Sequence, residues 1–320
     1  MRGAGETVCK KVQHLFVLRL LALLALATAS PLAAAQADPP RSVVIDRNAS
    51  YPEGPLWRDG RLYVAEMGAD RVSVYRNGAK ADFFVQRGCG PTALAPYGEG
   101  FAILCHIART LVIVDRQGAR VRVIAADGAG RAFQDPNDIS ADDRGGAYFS
   151  DPGIFSRRIP ASGALYHLDA RGRARRVAEG LWYPNGVYFD RAERALYVSE
   201  TFRHRVLRFA VLEDGALGAP SVFATFDFAA APFGRYRDVY DERGPDGLER
   251  APDGRLFVAI YGEGVVVALD RDGRIAAALP QPARYTTNIA FAPDGAAIVV
   301  GATINDRPPF TGEVRRFPRP

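Results

Sequence analysis

The stretch 183–201 reads YPNGVYFDRAERALYVSET, and its pattern organises the rest of the chain. Pro184-Asn185-Gly186 is a small turn-forming frame, an apolar strand follows it, and a polar turn leads into a second apolar strand that ends in Ser-Glu-Thr. Five more frames of this kind lie along the chain, so that six polar residues each open an apolar strand: Glu53, Cys89, Asn137, Asn185, Asp246 and Asn288. Their separations are 36, 48, 48, 61 and 42 residues, and a period in the 40s is that of a β-propeller.

Each frame is followed by a second strand (RLYVAEM, FAILCHI, GAYFSDP, ALYVSET, RLFVAIY, AAIVVGA) and a third (RVSVYR, TLVIVD, ALYHLD, RVLRFA, VVVALD, EVRRFP). Turns such as Arg58-Asp59-Gly60 and Pro252-Asp253-Gly254 carry hairpin signals. Fourth strands read as DFFVQ, RVRVIA, ARRVAE, SVFATF and RIAAAL in the first five units, and the chain ends before a sixth. The segment Arg41–Asp46, RSVVID, alternates like a strand and supplies the missing one, closing the ring and covering its edges. The fold class is therefore all-β: a six-bladed propeller with four antiparallel strands per blade, the last blade closed by the N-terminal strand. The extra stretch Ala229–Arg243 before Asp246 reads equally well as a lid over the channel or as a solvated loop.

Residues 1–35 read as a signal peptide, with Lys10, Lys11 and Arg19 before the apolar run Leu20–Ala27 and the cleavage pattern Ala33-Ala34-Ala35. The run is too short to span a membrane, so the expectation is export to the periplasm or medium with no membrane attachment after cleavage. Residues 36–320 then form one domain. Removing the leader lowers the formal charge from +5 to +2. The 38 Arg residues against 3 Lys are scattered among carboxylates, without the basic stripe of a nucleic-acid surface. Cys89 and Cys105 are either a disulfide or two buried thiols, and both readings stand. The sequence does not set the oligomeric state.

If the six frames open the innermost strands, their side chains converge on a central channel. Glu53, Asn185 and Asp246 then offer two carboxylates and an amide oxygen, a donor set for a hard divalent cation, calcium first and Zn, Mn or Mg on the same oxygens. His106, His167 and His204 lack zinc-motif spacing. The competing reading is that Asn, Asp, Pro and Gly merely punctuate strand entry, which leaves Glu53 unexplained. A cation over the channel suits hydrolysis of an ester or lactone, with Asp246 as the candidate general base. The chain has no GxSxG elbow for a serine mechanism.

At YPEGPLW, DPNDIS, YPNGVYFDRAERALYVSET, GPDGLERAPDGRLFVA and TTNIAF the chain resembles the senescence marker protein, gluconolactonase and luciferin-regenerating enzyme family over essentially the whole mature sequence. The resemblance implies a single divalent metal on Glu53, Asn185 and Asp246, with Asp246 also the acid/base residue. It implies substrate binding by Asn137, which serves as a fourth metal ligand in related phosphotriesterase-like propellers, and a small-molecule lactone as substrate. An Arg that commonly stands two residues before the channel Asn is here Asp135, with Arg243 and Arg284 as possible substitutes or plain surface residues. Two alternatives stay open: a non-catalytic, calcium-stabilised binding propeller, and a metal-free strictosidine synthase-like enzyme, which stretch 183–209 also resembles.

Overall fold

The computed structural model describes residues 42–234, 242–303 and 308–320. Among them are 24 strands in six antiparallel sheets of four. The innermost strands are Pro52–Arg58, Pro91–Tyr97, Ile139–Ala141, Pro184–Asp190, Gly244–Arg250 and Tyr285–Phe291. Each of these touches the next around the ring, and the sixth touches the first. Blades are numbered 1 to 6 in that order, so blades 1 and 4, and blades 3 and 6, face each other across the channel.

The sixth sheet takes its outer strand from the N-terminal side, as the sequence implies. Val43–Ser50 pairs antiparallel with Thr311–Phe317, Val43 opposite Arg316 and Ala49 opposite Gly312. The pairing extends four residues beyond Asp46, so more of the ring is closed by main-chain hydrogen bonds than the alternation of RSVVID alone indicates.

The core lies between blades, where the flat faces of neighbouring sheets meet. Phe133, Phe149 and Tyr166 pack together between blades 2 and 3, and Phe149 and Tyr166 stack at 5.1 Å with their planes 13° apart. Burying a ring of that size stabilises the fold by about 1.5–3 kcal/mol. Cys89 and Cys105 form a disulfide with their Cα atoms 4.6 Å apart, which decides between the two readings of that pair. Of the stretch proposed as a lid, residues 235–241 lie outside the described residues; Phe233 before them packs on Phe228 at 4.9 Å.

Candidate metal and substrate site

Strand register shows which residue of each blade enters the ring. In blade 4, Pro184 pairs with Glu200 and Val187 with Val198, so a bulge leaves Asn185 and Gly186 facing the channel opposite Ser199 alone. Blade 5 repeats this bulge with Asp246-Gly247; in blade 1 Pro52 pairs with Glu66 as Pro184 does with Glu200, Glu53 pairs with Ala65, and the bulge falls one residue later at Gly54-Pro55. In blade 3 the Asn137 N–H donates to the Ser150 carbonyl at 3.0 Å, which places Asn137 at the same height.

The frames of blades 2 and 6 need correction. Pro91 pairs with Cys105 and Leu94 with Ile103, while Thr286 pairs with Gly301 and Ile289 with Val299. The equivalents of Asn185 are therefore Thr92 and Thr287. Cys89 stands three residues upstream of the ring and Asn288 one downstream. Small and turn-forming neighbours recur on both sides of a bulge, so composition alone does not fix its register. The ring reads Glu53, Thr92, Asn137, Asn185, Asp246, Thr287.

Glu53, Asn185 and Asp246 are buried, 7, 6 and 4% exposed. Burial, then the charges of Asp246 and Asp138, push the Glu53 carboxyl well above its ordinary range. Burial and Asp138 do the same to Asp246. The Asn185 Oδ1 is buried without a hydrogen-bond partner, an arrangement that costs about 1–3 kcal/mol when nothing satisfies the atom. Two crowded carboxylates and an orphaned amide oxygen fit an oxygen-ligated divalent cation, which would relieve all three at once. Among the described residues no three His, Cys, Asp or Glu side chains cluster for a metal; a cation held here would need the Asn185 amide beside the two carboxylates.

Sequence reasoning missed what holds these residues in place. The second strand of blade 4 ends at Glu200, whose carboxylate accepts the Trp182 N–H at 2.7 Å, three residues before Asn185. Glu66 accepts the Ser50 N–H at 2.9 Å, three before Glu53. Asp151 accepts the Gln134 N–H at 2.9 Å, three before Asn137. Arg71 and Arg205 neutralise Glu66 and Glu200 at 3.0 and 2.6 Å. In blade 2 the corresponding pair is Cys105 and Cys89. There the Cys89 N–H already donates to Gln86 at 3.0 Å, and the disulfide supplies the tie that a carboxylate supplies elsewhere. The strand endings YVAE, YFSD and YVSE carry this signal in the sequence.

One residue deeper the ring is Gly54, Ala93, Asp138, Gly186, Gly247 and Asn288. Asp138 accepts the Val187 N–H at 2.9 Å and a hydrogen bond from the Asn288 side chain, so a pair from opposite blades spans the bore. The small residues make room for it: a Cβ on Gly247 would lie 2.0 Å from the Asn288 Cγ. Beyond this bar lies a cavity of roughly 240 Å³ lined by all six inner strands. Burial raises Asp138 to about 7 and Glu249, in that cavity, to about 8.

At the opposite, ligand-bearing end, the Asp135 N–H donates to Asp151 at 2.7 Å, and the Asp135 carboxylate faces Arg109 at 3.4 Å. Arg243 pairs with the buried Glu263, which commits its guanidinium to the fold. Arg284 lies over the Tyr285 ring at 5.2 Å.

Residues 51–302 match the family model described as SMP-30/Gluconolactonase/LRE-like region. The chain belongs to this family. Among relatives, the lactonase drp35 of Staphylococcus saprophyticus is 27% identical over 227 residues, covering 66% of this chain and 65% of its own. The chain thus spans just under two thirds of that relative's length. Pentonolactonase XacC of Haloferax volcanii is 26% identical over 286 residues, covering 84% of this chain and 87% of its own. Among solved structures, a gluconolactonase of Xanthomonas campestris aligns with a TM-score of 0.69 at 23% identity, covering 88% of this chain and 96% of that one. A calcium-binding regucalcin of Agrobacterium tumefaciens gives 0.71 at 20%, covering 87% and 94%. At such identities the structures establish the shared propeller fold for this family member.

Proposed function

We propose that this chain is an exported, metal-dependent hydrolase of lactones. The observation that carries the reading is the unpartnered Asn185 Oδ1 accompanying the buried carboxylates of Glu53 and Asp246. The relatives named lactonase and pentonolactonase point to the bond that is cleaved. Glu53, Asn185 and Asp246 would hold one divalent cation, calcium by the all-oxygen donor set, with Zn, Mn or Mg able to use the same atoms. When bound, such an ion polarises a carbonyl and acidifies water.

The protein's own residues then have distinct tasks. Asp246 accepts a proton from the attacking water as that oxygen bonds to the lactone carbonyl carbon. It returns the proton to the ring oxygen as the C–O bond breaks, and leaves as the carboxylate it was. Asn137, fixed through its backbone to Ser150, is assigned to the substrate. Glu53 stays a ligand, steadied by the Thr287 hydroxyl. The leader at 1–35 and the Cys89–Cys105 disulfide support export to an oxidising compartment.

The test is a lactone panel on purified protein before and after chelation. Hydrolysis should vanish with the metal and return on adding calcium, and turnover that persists without metal sinks the mechanism. Asp246→Asn should stay folded and lose roughly 10²–10⁴ in kcat; a variant at the parent rate removes Asp246 as base.

A further inference from the structure

Two residues before the ligand ring, at the mouth, stand Tyr51, Gly90, Asp135, Tyr183, Gly244 and Tyr285. The carbonyls of Tyr51, Gly90 and Tyr183 accept the N–H groups of Met67, His106 and Thr201, each the residue just past the second strand of its blade. At these three positions φ is 48°, 53° and 57°. Glycine adopts that left-handed backbone freely, whereas tyrosine holds it under strain, and strain kept beside a functional site points to a use for the side chain.

The two tyrosines on opposite blades are ends of one aromatic arc. Tyr183 packs on Phe155 at 4.8 Å, and Phe155 meets Tyr261 at 5.9 Å. The Tyr261 hydroxyl meets that of Tyr51 at 3.2 Å, and its ring meets Tyr285 at 5.2 Å. On the far side of the mouth Ile107 packs directly on Gly90, where a Cβ would lie 2.2 Å from its Cγ1, yet stays 58% exposed, and Ile154 on the next blade is 62% exposed. The acid at that rim, Asp135, is tied to Arg109.

We infer that this arc is the specificity surface of the site and that it selects a lactone fused to a flat apolar ring, an aryl lactone, over a polyhydroxylated sugar lactone. The inference rests on the lactone-hydrolase reading above. An aromatic face stacks a flat ring, worth roughly two- to tenfold in affinity per ring. A hydroxyl pressed against the same face without a partner loses its water, at a cost of roughly fivefold or more. Of the four tyrosines in the arc, Tyr51 and Tyr261 turn their hydroxyls to each other at 3.2 Å, which spends polar groups that a polyhydroxylated ligand would need.

Titration calorimetry with hydrolysis-inert lactams tests binding apart from turnover. The lactam analogue of dihydrocoumarin should bind about tenfold or more tighter than gluconolactam. Phe155→Leu, checked for folding by its melting temperature, should weaken the aryl lactam roughly two- to tenfold, and Phe155→Tyr should retain the preference. Gluconolactam binding as tightly as the aryl lactam, or Phe155→Leu weakening both alike, overturns the inference. An aryl preference without hydrolysis of any lactone keeps this surface and refutes the hydrolase. Gluconolactone cleaved faster than dihydrocoumarin keeps the hydrolase and refutes the surface.

Discussion

Replacing both Cys89 and Cys105 by Ser tests whether the blade 2 disulfide is a structural tie equivalent to the carboxylate ties of its neighbours. The two cysteines are 16 residues apart in sequence. Closing a loop of that size raises the free energy of the unfolded chain by about 3 kcal/mol in the chain-entropy account. Both positions are fully buried, so the serine hydroxyls add a desolvation cost and the total loss should be about 3–5 kcal/mol. Urea unfolding at fixed pH, with and without strong reductant, gives the number. The midpoint should fall in the double variant, and reductant should lower the parent to a similar value while leaving the variant where it is. Calcium affinity should change less than about threefold, since Thr92, the blade 2 ring residue, is outside the proposed ligand set. A double variant within about 0.5 kcal/mol of the parent would refute the assignment of the disulfide as that tie.

Three further outcomes follow from the same geometry. Asn185→Ala should change metal-free stability by no more than about 1 kcal/mol, because the unpartnered oxygen is already a liability, yet abolish the rise in melting temperature on adding calcium; an undiminished rise removes Asn185 from the ligand set. At Tyr183 the usual order of substitutions should invert: Tyr183→Gly should be more stable than Tyr183→Ala by about 1 kcal/mol in urea unfolding, since only glycine relaxes at φ 57°, and Ala at or above Gly in stability would contradict the strain. Burial alone would raise Glu66, but hydrogen bonds from Arg71, Lys80, Ser73 and the Ser50 N–H outweigh it and hold the carboxyl below its ordinary value of 4.5. Its stabilisation is therefore fully present above about pH 4.5 and lost as pH falls through the folded value; urea midpoints of Glu66→Gln should decline less steeply than the parent's below that pH, and parallel curves would exclude Glu66 as a source of acid sensitivity.

The strands were legible because each obeys its own local pattern, and the ring closure was legible because the count came out one strand short at the end and one over at the beginning. Glu53, Asn137, Asn185 and Asp246 stood out since each sits in a Pro-x-Gly or Pro-x-Asp frame. Blades 2 and 6 misled for a physical reason: a bulge is defined by its partner strand, and nothing in Gly-Cys-Gly or Thr-Asn-Ile tells which residue the partner skips. The buttressing carboxylates were visible as letters at strand ends but not as a function, because their partners are backbone N–H groups, which no sequence spells out. The aromatic arc joins residues from several blades and from the loop at Phe155, a proximity that only closure of the ring creates.

The Asp138–Asn288 bar has a consequence for traffic. A propeller bore is open at both ends in principle, but two opposed side chains hydrogen-bonded across it make this one a blind well. Whatever enters at the tyrosines must back out past them. On the proposed function, a lactone would enter and its ring-opened product would leave by that same mouth. Entry and release then share one mouth, so on the proposed function each product has to clear the tyrosines before the next substrate can pass them.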